Sequence, residues 1–465
     1  MFPKKTYTGR RKILQQKIKS GLVLLMGNEL SSMNYTENTY HFRQDSNFLY
    51  YIGLDLPSLT AIIDIDKGET MLFGTELTID DVIWTGPQPS LKSLAAKSGI
   101  KKVLSPTQIP TLIKNAKKKG RGIHYLPPYR PENKIKLSEW MGLPINGLSC
   151  ISCVPLAKAV IEQALVKSKE EIKEMEKALA ITADMHLTAM RTAKPGMKEA
   201  EVTGKVHGIA ISAGGNLAYP IILTVNGQTL HNHYHGNTLK KGQLLLGDFG
   251  AETAMHYAGD ITRTFPISKK FTKKQKDIYE LVLAMEMASI KACKPGVAYK
   301  EAHLNAAKIL VNGMKDLGLM KGDTEAAVAK GAHALFFPHG LGHAIGLDVH
   351  DMEDLGEDLV GYTEDIKRSP QFGLRSLRFG RPLAKGHVMT VEPGIYFIPE
   401  LIDRWSSKGK FKNFINYSKL KGYRNFGGIR IEDNILITAK GQKVLGPPIP
   451  KTVKEIEAIR AKALS

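Results

Sequence analysis

LLLGDFGAETAMHYAGDITRTFP, residues 244–266, puts Asp248 at the end of one apolar run and Asp260 at the start of another. The interval between them carries Gly250 and Gly259, which suits two neighbouring antiparallel strands. On such a pair both carboxylates point from one face into one pocket. Further along, KKGQLLLGDFG is echoed by AKGHVMTVEPG, which gives Glu392 the place that Asp248 holds in the first copy. Glu432 follows the run GGIRI, and His343 lies in PHGLGHAIGLDVHD. Four carboxylates around one imidazole make a hard, strongly anionic pocket whose burial without cations is very costly. Two divalent cations resolve that conflict and lower the pKa of a shared water. A donor set without thiolate favours Mn²⁺, with Co²⁺ or Zn²⁺ able to substitute.

The same region predicts a duplicated architecture. Met175, Leu179, Ala183, Leu187 and Met190 repeat with helical period and run into Lys194-Pro195-Gly196. Ile278, Leu281, Val282, Met285 and Ala288 do the same before Lys294-Pro295-Gly296. Pro-Gly gives each helix a sharp stop, and a second helical segment follows each. The order helix, KPG, helix, strand ending in a carboxylate thus occurs twice. The expected fold is α+β, with duplicated halves around an antiparallel sheet over residues 161–465. A smaller α/β domain occupies residues 1–160, in which GLVLLM is a strand and TAIIDID with TMLFG a hairpin.

Composition narrows the function less than the motifs do. The chain has 465 residues, 43% hydrophobic and 24% charged, which is ordinary for a globular protein. No apolar run approaches the length of a bilayer span, no signal-peptide core follows the basic N-terminus, and three cysteines suit a reducing cytoplasm. Cys150 and Cys153 form a CxxC without the second ligand pair or the strand-to-helix context that zinc or redox chemistry needs. The formal charge of +20 raises nucleic acid or a membrane surface as partners. The excess is spread along the chain, however, with only Lys117, Lys118, Lys119 and Arg121 clustered, so a generally basic surface is the expectation.

Three more histidines stand near the acidic residues in sequence. His339 and His350 flank His343, and His233 precedes the strand that ends at Asp248. Their clustering favours proton transfer and substrate hydrogen bonding, although spacing alone leaves the choice among His231, His233 and His235 open.

DFGAETAMHYAGDITRTFP, HGLGHAIGLDVHD, TVEPGIY and GIRIEDN resemble the successive motifs of the pita-bread metallopeptidases, within them the branch of aminopeptidase P and prolidase. FRQDSNFLYYIG and VIWTG are similar to that branch's non-catalytic N-terminal domain, so the likeness covers nearly the whole chain. The resemblance implies that Asp248 chelates one metal, that His343 and Glu392 hold the other, and that Asp260 and Glu432 bridge them. A bridging water or hydroxide is then the nucleophile and Glu392 assists proton transfer. His233, His339 and His350 match substrate-contacting and proton-relaying histidines, and Arg430 an arginine orienting the bridging glutamate. The implied reaction is hydrolysis of the bond between an N-terminal residue and a following proline, with a prolidase acting on Xaa-Pro dipeptides as the alternative. A homodimer or homotetramer is implied, in which a tryptophan such as Trp84 reaches a neighbouring site. The chain departs from the family pattern after His233, where HGN stands for an acidic residue, and over residues 355–383 and 400–425, which look like insertions. A pita-bread domain that has lost catalysis and serves as a binding scaffold is the reading from another class; retention of all five ligands counts against it.

Overall fold

The computed structural model describes residues 1–148 and 153–465, so the CxxC expectation at Cys150 lies outside the described residues, while Cys153 is buried in the core of the first unit. The chain divides into two compact units. The first comprises residues 1–164 and 352–359, the second 165–351 and 360–465. Unit 1 runs past residue 160 because the helix Val154–Ala164 is unbroken there.

Unit 1 is built on five strands, β1 (Leu22–Met26), β2 (Thr60–Asp64), β3 (Glu69–Phe73), β4 (Lys102–Leu104) and β5 (Ile123–Tyr125). They lie in the order β4-β3-β2-β1-β5. β2 and β3 form the expected hairpin in the register Asp64↔Glu69 to Thr60↔Phe73. Gly68, at φ 64°, supplies the left-handed residue that the turn needs. Strand alternation puts Leu22, Leu24 and Ile62 in one core with Ile109, Ile113 and Leu137 from the helices covering that face. The basic patch is partly absorbed by the fold, since Arg121 pairs with Asp64 at 2.5 Å and with Asp66.

Unit 2 opens on the helix Lys169–Thr192, started by a capping box between Ser168 and Glu171. Its apolar stripe buries Met175, Leu179, Ala183 and Met190. The Pro-Gly turn and the helix Glu199–Ser212 follow. The second copy runs through the helices Lys273–Ala292 and Tyr299–Asp316. Between and after these come β6 (Asn216–Leu217), β7 (Ile222–Thr224), β8 (Leu244–Phe249), β9 (Ala251–Glu252) and β10 (Ile261–Pro266). After the second helix pair come β11 (Val388–Val391), β12 (Gly394–Tyr396), β13 (Gly428–Arg430), β14 (Asp433–Ile437) and β15 (Gln442–Val444).

The duplication extends to individual hydrogen bonds. Gly196 N–H donates to Leu239 O and Leu239 N–H to Met197 O; Gly296 N–H donates to Leu383 O and Leu383 N–H to Val297 O. The bridges Lys198↔Thr238 and Ala298↔Pro382 occupy matching places. Each half thereby delivers a strand, β8 or β11, into a three-stranded antiparallel sheet, β10-β8-β7 or β11-β14-β15. The halves are joined where Glu432 N–H donates to Thr262 O at 3.1 Å and Thr264 Oγ1 to Arg430 O at 3.0 Å.

Residues 400–425 form a helical excursion between β12 and β13, led by the helix Pro399–Ser407. Its Trp405 packs edge-on against Phe372 of the 355–383 stretch, with ring centroids 5.7 Å apart.

Candidate metal centre

In the β8/β10 ladder Asp248 lies opposite Thr262. Asp260, two residues before Thr262, therefore shares its face, as the antiparallel pairing requires. Asp260 is held by a two-way amide clamp: its N–H donates to Asn434 Oδ1 at 3.2 Å, and Asn434 Nδ2 donates to its carbonyl at 2.6 Å. Glu392 follows β11, and Glu432 sits in the gap between β13 and β14. His343 enters from a loop laced onto β11, where its N–H donates to Thr390 Oγ1 at 3.0 Å and Thr390 N–H donates back to its carbonyl.

The five groups converge. One ligand atom each of Asp260, His343 and Glu432 lie within 4.8 Å of one another. His343 Nε2 stands 3.4 Å from Asp260 Oδ2 and 3.5 Å from Glu392 Oε1. Its Nδ1 is 3.1 Å from Ala344 O, so Nδ1–H donating there turns Nε2 to the carboxylates. Asp248 joins through the Tyr219 hydroxyl, which lies 2.6 Å from Asp248 Oδ1 and also contacts Asp260 Oδ1.

The electrostatics are those of a cage built for cations. Burial, then the charges of Asp260, Glu392 and Asp248, raise Glu432 well above the usual carboxylate range. Glu392 is pushed up to about 7, mainly by burial against the pull of His343 and Arg430. Burial also raises Asp248, while in Asp260 it is outweighed by the hydrogen bond and charge of His343. His343 resists its own burial and is raised by Asp260 and Glu392. One hydroxyl hydrogen cannot serve two carboxylates at Tyr219, and Glu432 Oε1 is buried with no hydrogen-bond partner among the described residues. Cations bound to these oxygens would satisfy both defects, and the hard oxygen-and-imidazole donor set fits divalent metals.

Around the cage runs a second layer. Arg430 pairs through Nη2 with Asp248 Oδ2, donates from Nη1 to Tyr396 OH at 2.8 Å and from Nε to Thr262 Oγ1 at 3.1 Å. Thr262 in turn donates to Glu432 Oε2 at 2.7 Å. Arg430 thus holds Asp248 directly and is linked to Glu432 through Thr262. His339 Nδ1 lies 2.7 Å from Gly340 O, and its Nε2 lies 2.8 Å from Tyr396 OH. Donation to the carbonyl leaves Nε2 to accept from the tyrosine, with the ring neutral; burial and Arg430 push its pKa down to about 3. His350 packs edge-on against His343, with centroids 4.4 Å apart.

Among the candidates His231, His233 and His235, the third is turned to Ile221 O at 3.1 Å. His231 lies within electrostatic reach of Arg430, Asp248, Arg378 and His233, its pKa lowered chiefly by burial. His233 is exposed. Trp84 stands 86% exposed on the short helix Ile79–Thr85 of unit 1. Tyr219, Thr262, Tyr396 and Asn434 escaped the sequence reading. Thr262 and Tyr396 belong to motifs quoted for their acids, and strand parity puts Thr262 on the face of Asp260. Tyr219 carries no comparable signal.

Residues 173–439 match the model of metallopeptidase family M24, and residues 7–124 that of the aminopeptidase P N-terminal domain. The chain is 33% identical to a human Xaa-Pro dipeptidase over 450 residues, covering 95% of this chain and 88% of that protein. It is 31% identical to a probable Xaa-Pro aminopeptidase of Coccidioides posadasii, covering 95% and 92%. The solved proline aminopeptidase P II from Yersinia pestis superposes with a TM-score of 0.82 at 30% identity, covering 99% of this chain and 100% of that one. The aminopeptidase PepP of Pseudomonas aeruginosa gives 0.81 at 29% identity, covering 100% and 99%.

Proposed function

Because this chain belongs to metallopeptidase family M24, we propose that it is an Xaa-Pro aminopeptidase releasing the N-terminal residue from peptides with proline in second position. The observation that carries this reading is the convergence of Asp260, His343 and Glu432 within 4.8 Å, with Asp248 and Glu392 at its margins. In this reading Asp248, Asp260, His343, Glu392 and Glu432 would together hold two divalent ions. Such ions would supply a water of lowered pKa and an electrophile for the scissile carbonyl.

The protein's own groups handle protons and orientation. Glu392, beside His343 and on the more open side of the cage, is placed to take a proton from water and pass it to the departing proline nitrogen. Arg430 and Tyr219 keep Asp248 fixed. His339, neutral and with both ring nitrogens engaged by Gly340 O and the Tyr396 hydroxyl, meets the substrate through Tyr396 or by exchanging that hydroxyl for a substrate donor, and His350, His231 or His233 line the same approach. The scissile amide nitrogen of proline bears no hydrogen, so recognition falls to a pocket for the ring rather than to strand-like pairing.

Mn²⁺ is the metal that the donor set favours, and the wider reading takes unit 1 as the non-catalytic domain of a cytoplasmic homodimer or homotetramer. No helix among the described residues is long and apolar enough to cross a membrane. A second reading, cleavage confined to Xaa-Pro dipeptides, draws on the 33% identity with a human Xaa-Pro dipeptidase over 95% of this chain. The test is hydrolysis by Mn²⁺-reconstituted protein across Xaa-Pro peptides of increasing length, with Asp260→Ala as control. Turnover of tri- and longer peptides is expected; turnover of the dipeptide alone would give the second reading its place.

A further inference from the structure

We propose that Lys167 is a positioning residue, which through its ion pair with Asp351 holds His350 against His343. Lys167 Nζ lies 2.6 Å from Asp351 Oδ2, and their side chains are 2% and 6% exposed. A charge pair so deep in the protein is retained against a large desolvation cost, so what it fixes is of interest. Both of its ends are pinned. Lys167 N–H donates to Gly386 O at 2.9 Å, just before β11, and Ser168 directly after it caps the helix Lys169–Thr192. Asp351 N–H donates to Ala344 O at 3.0 Å, which closes residues 344–351 into a loop. Inside that loop Gly346 N–H donates to Asp348 O, and Ala258 N–H donates to Gly346 O, two residues before Asp260.

The loop leaves no slack around the pair. A Cβ on Gly346 would stand 2.7 Å from Asp351 Oδ2 and 2.8 Å from Lys167 Cε, so the ion pair packs on the bare face of that glycine. The loop begins beside His343 and ends at His350 and Asp351, and the two imidazoles meet edge-on at 4.4 Å. With both ends of the loop fixed, the direction of His350 follows from where Asp351 is held, and Lys167 holds it.

The proposal rests on the aminopeptidase reading for the role of His350 but not for its placement, and the experiment separates the two. Removing one charge would bury the other alone, so both are replaced together, Lys167→Met with Asp351→Leu, in the full chain. Activity is followed on an Xaa-Pro peptide with Mn²⁺ across pH, together with the unfolding temperature. Imidazole resonances are recorded on the metal-free protein, where no turnover is needed. The expected result is a folded protein whose KM stays within about threefold while kcat falls about tenfold or more. Its pH profile is displaced and the His350 ring signals move. Wild-type kcat, pH profile and His350 signals, with only a lower unfolding temperature, would overturn the proposal. Should the unaltered protein hydrolyse no Xaa-Pro peptide, the functional reading falls, and the His350 signals alone decide this one.

Discussion

The two halves of unit 2 deliver a carboxylate to the centre by the same route and then treat it differently. Asp248 at the end of β8 is clasped by Arg430 and by the Tyr219 hydroxyl. Glu392 at the end of β11 has His343 at 3.5 Å and Thr390 Oγ1 at 3.5 Å, and its side chain is 19% exposed. A duplicated scaffold thus offers two equivalent strand ends, one rigid and one loosely held on the open side. The rigid end suits holding an ion; the loose end suits moving a proton. If that division is correct, Asp248→Ala should do the greatest damage. It leaves Arg430 buried without its partner, a loss of about 3–5 kcal/mol. Bound metal should fall away and activity drop at least about a thousandfold, checked by elemental analysis and hydrolysis. Glu392→Gln keeps the shape, so metal content should largely survive while kcat falls about 10²- to 10⁴-fold. Equal loss of metal in the two variants would break the comparison.

The helices that open each half's second segment repeat the contrast at lower cost. Glu199 and Tyr299 stand at equivalent positions after Lys198 and Ala298, and both are wholly buried. Glu199 accepts hydrogen bonds from Val225 N–H at 2.8 Å and from the backbone and side-chain nitrogens of Asn237 at 3.2 and 3.0 Å. Tyr299 donates its hydroxyl to Thr390 O at 2.5 Å. Each ties its helix to the segment carrying a site residue, one with three hydrogen bonds and the other with one. Glu199→Leu strands three donors and should cost about 2–4 kcal/mol, against about 1 kcal/mol for Tyr299→Phe, in urea unfolding. Similar losses would mean that the tethers do not scale with their hydrogen bonds.

What the sequence reveals follows the same logic of local against distant information. The acids announce themselves because each lies where an apolar run stops, and the echo of KKGQLLLGDFG in AKGHVMTVEPG makes the duplication visible before any coordinates. Helical period and Pro-Gly stops are local too. The partners of those acids are not. Arg430 meets Asp248 across 182 residues, and Asn434 clamps Asp260 across 174, distances over which no periodicity carries. Tyr219 lies on a short stretch between β6 and β7, with nothing in its neighbours to mark it. His231 and His233 lie in an irregular stretch whose far end is tied at Asn237 to Glu199, 38 residues upstream, so their placement has no local signature. The joining of residues 352–359 to unit 1 was equally invisible, since that stretch has no distinctive composition.

A smaller effect than that of Glu199→Leu is expected from a difference deeper in the same helices. Where the first half has Thr203, the second has His303, whose ring lies 6.2 Å from that of His333 and 5.0 Å from that of Phe337, which in turn packs against His339. Both histidines are wholly buried, and none of their four ring nitrogens has a hydrogen-bond partner among the described residues. Burial pushes His333 down to about 4, and burial with the charges of His333 and His339 takes His303 well below the usual histidine range. Folded, the pair stays neutral; unfolded, each ring takes a proton near its ordinary pKa of about 6.5. The unfolded state therefore binds more protons, and stability is lost as pH falls from about 6.5 towards 4. Replacing His333 with leucine fills the same space without a titrating group. Between pH 7 and pH 5 the His333→Leu variant should lose about 1–2 kcal/mol less than the unaltered protein, read from urea midpoints at each pH. An unchanged acid limb would place the sensitivity outside this pair and leave the second half no more acid-labile than the first.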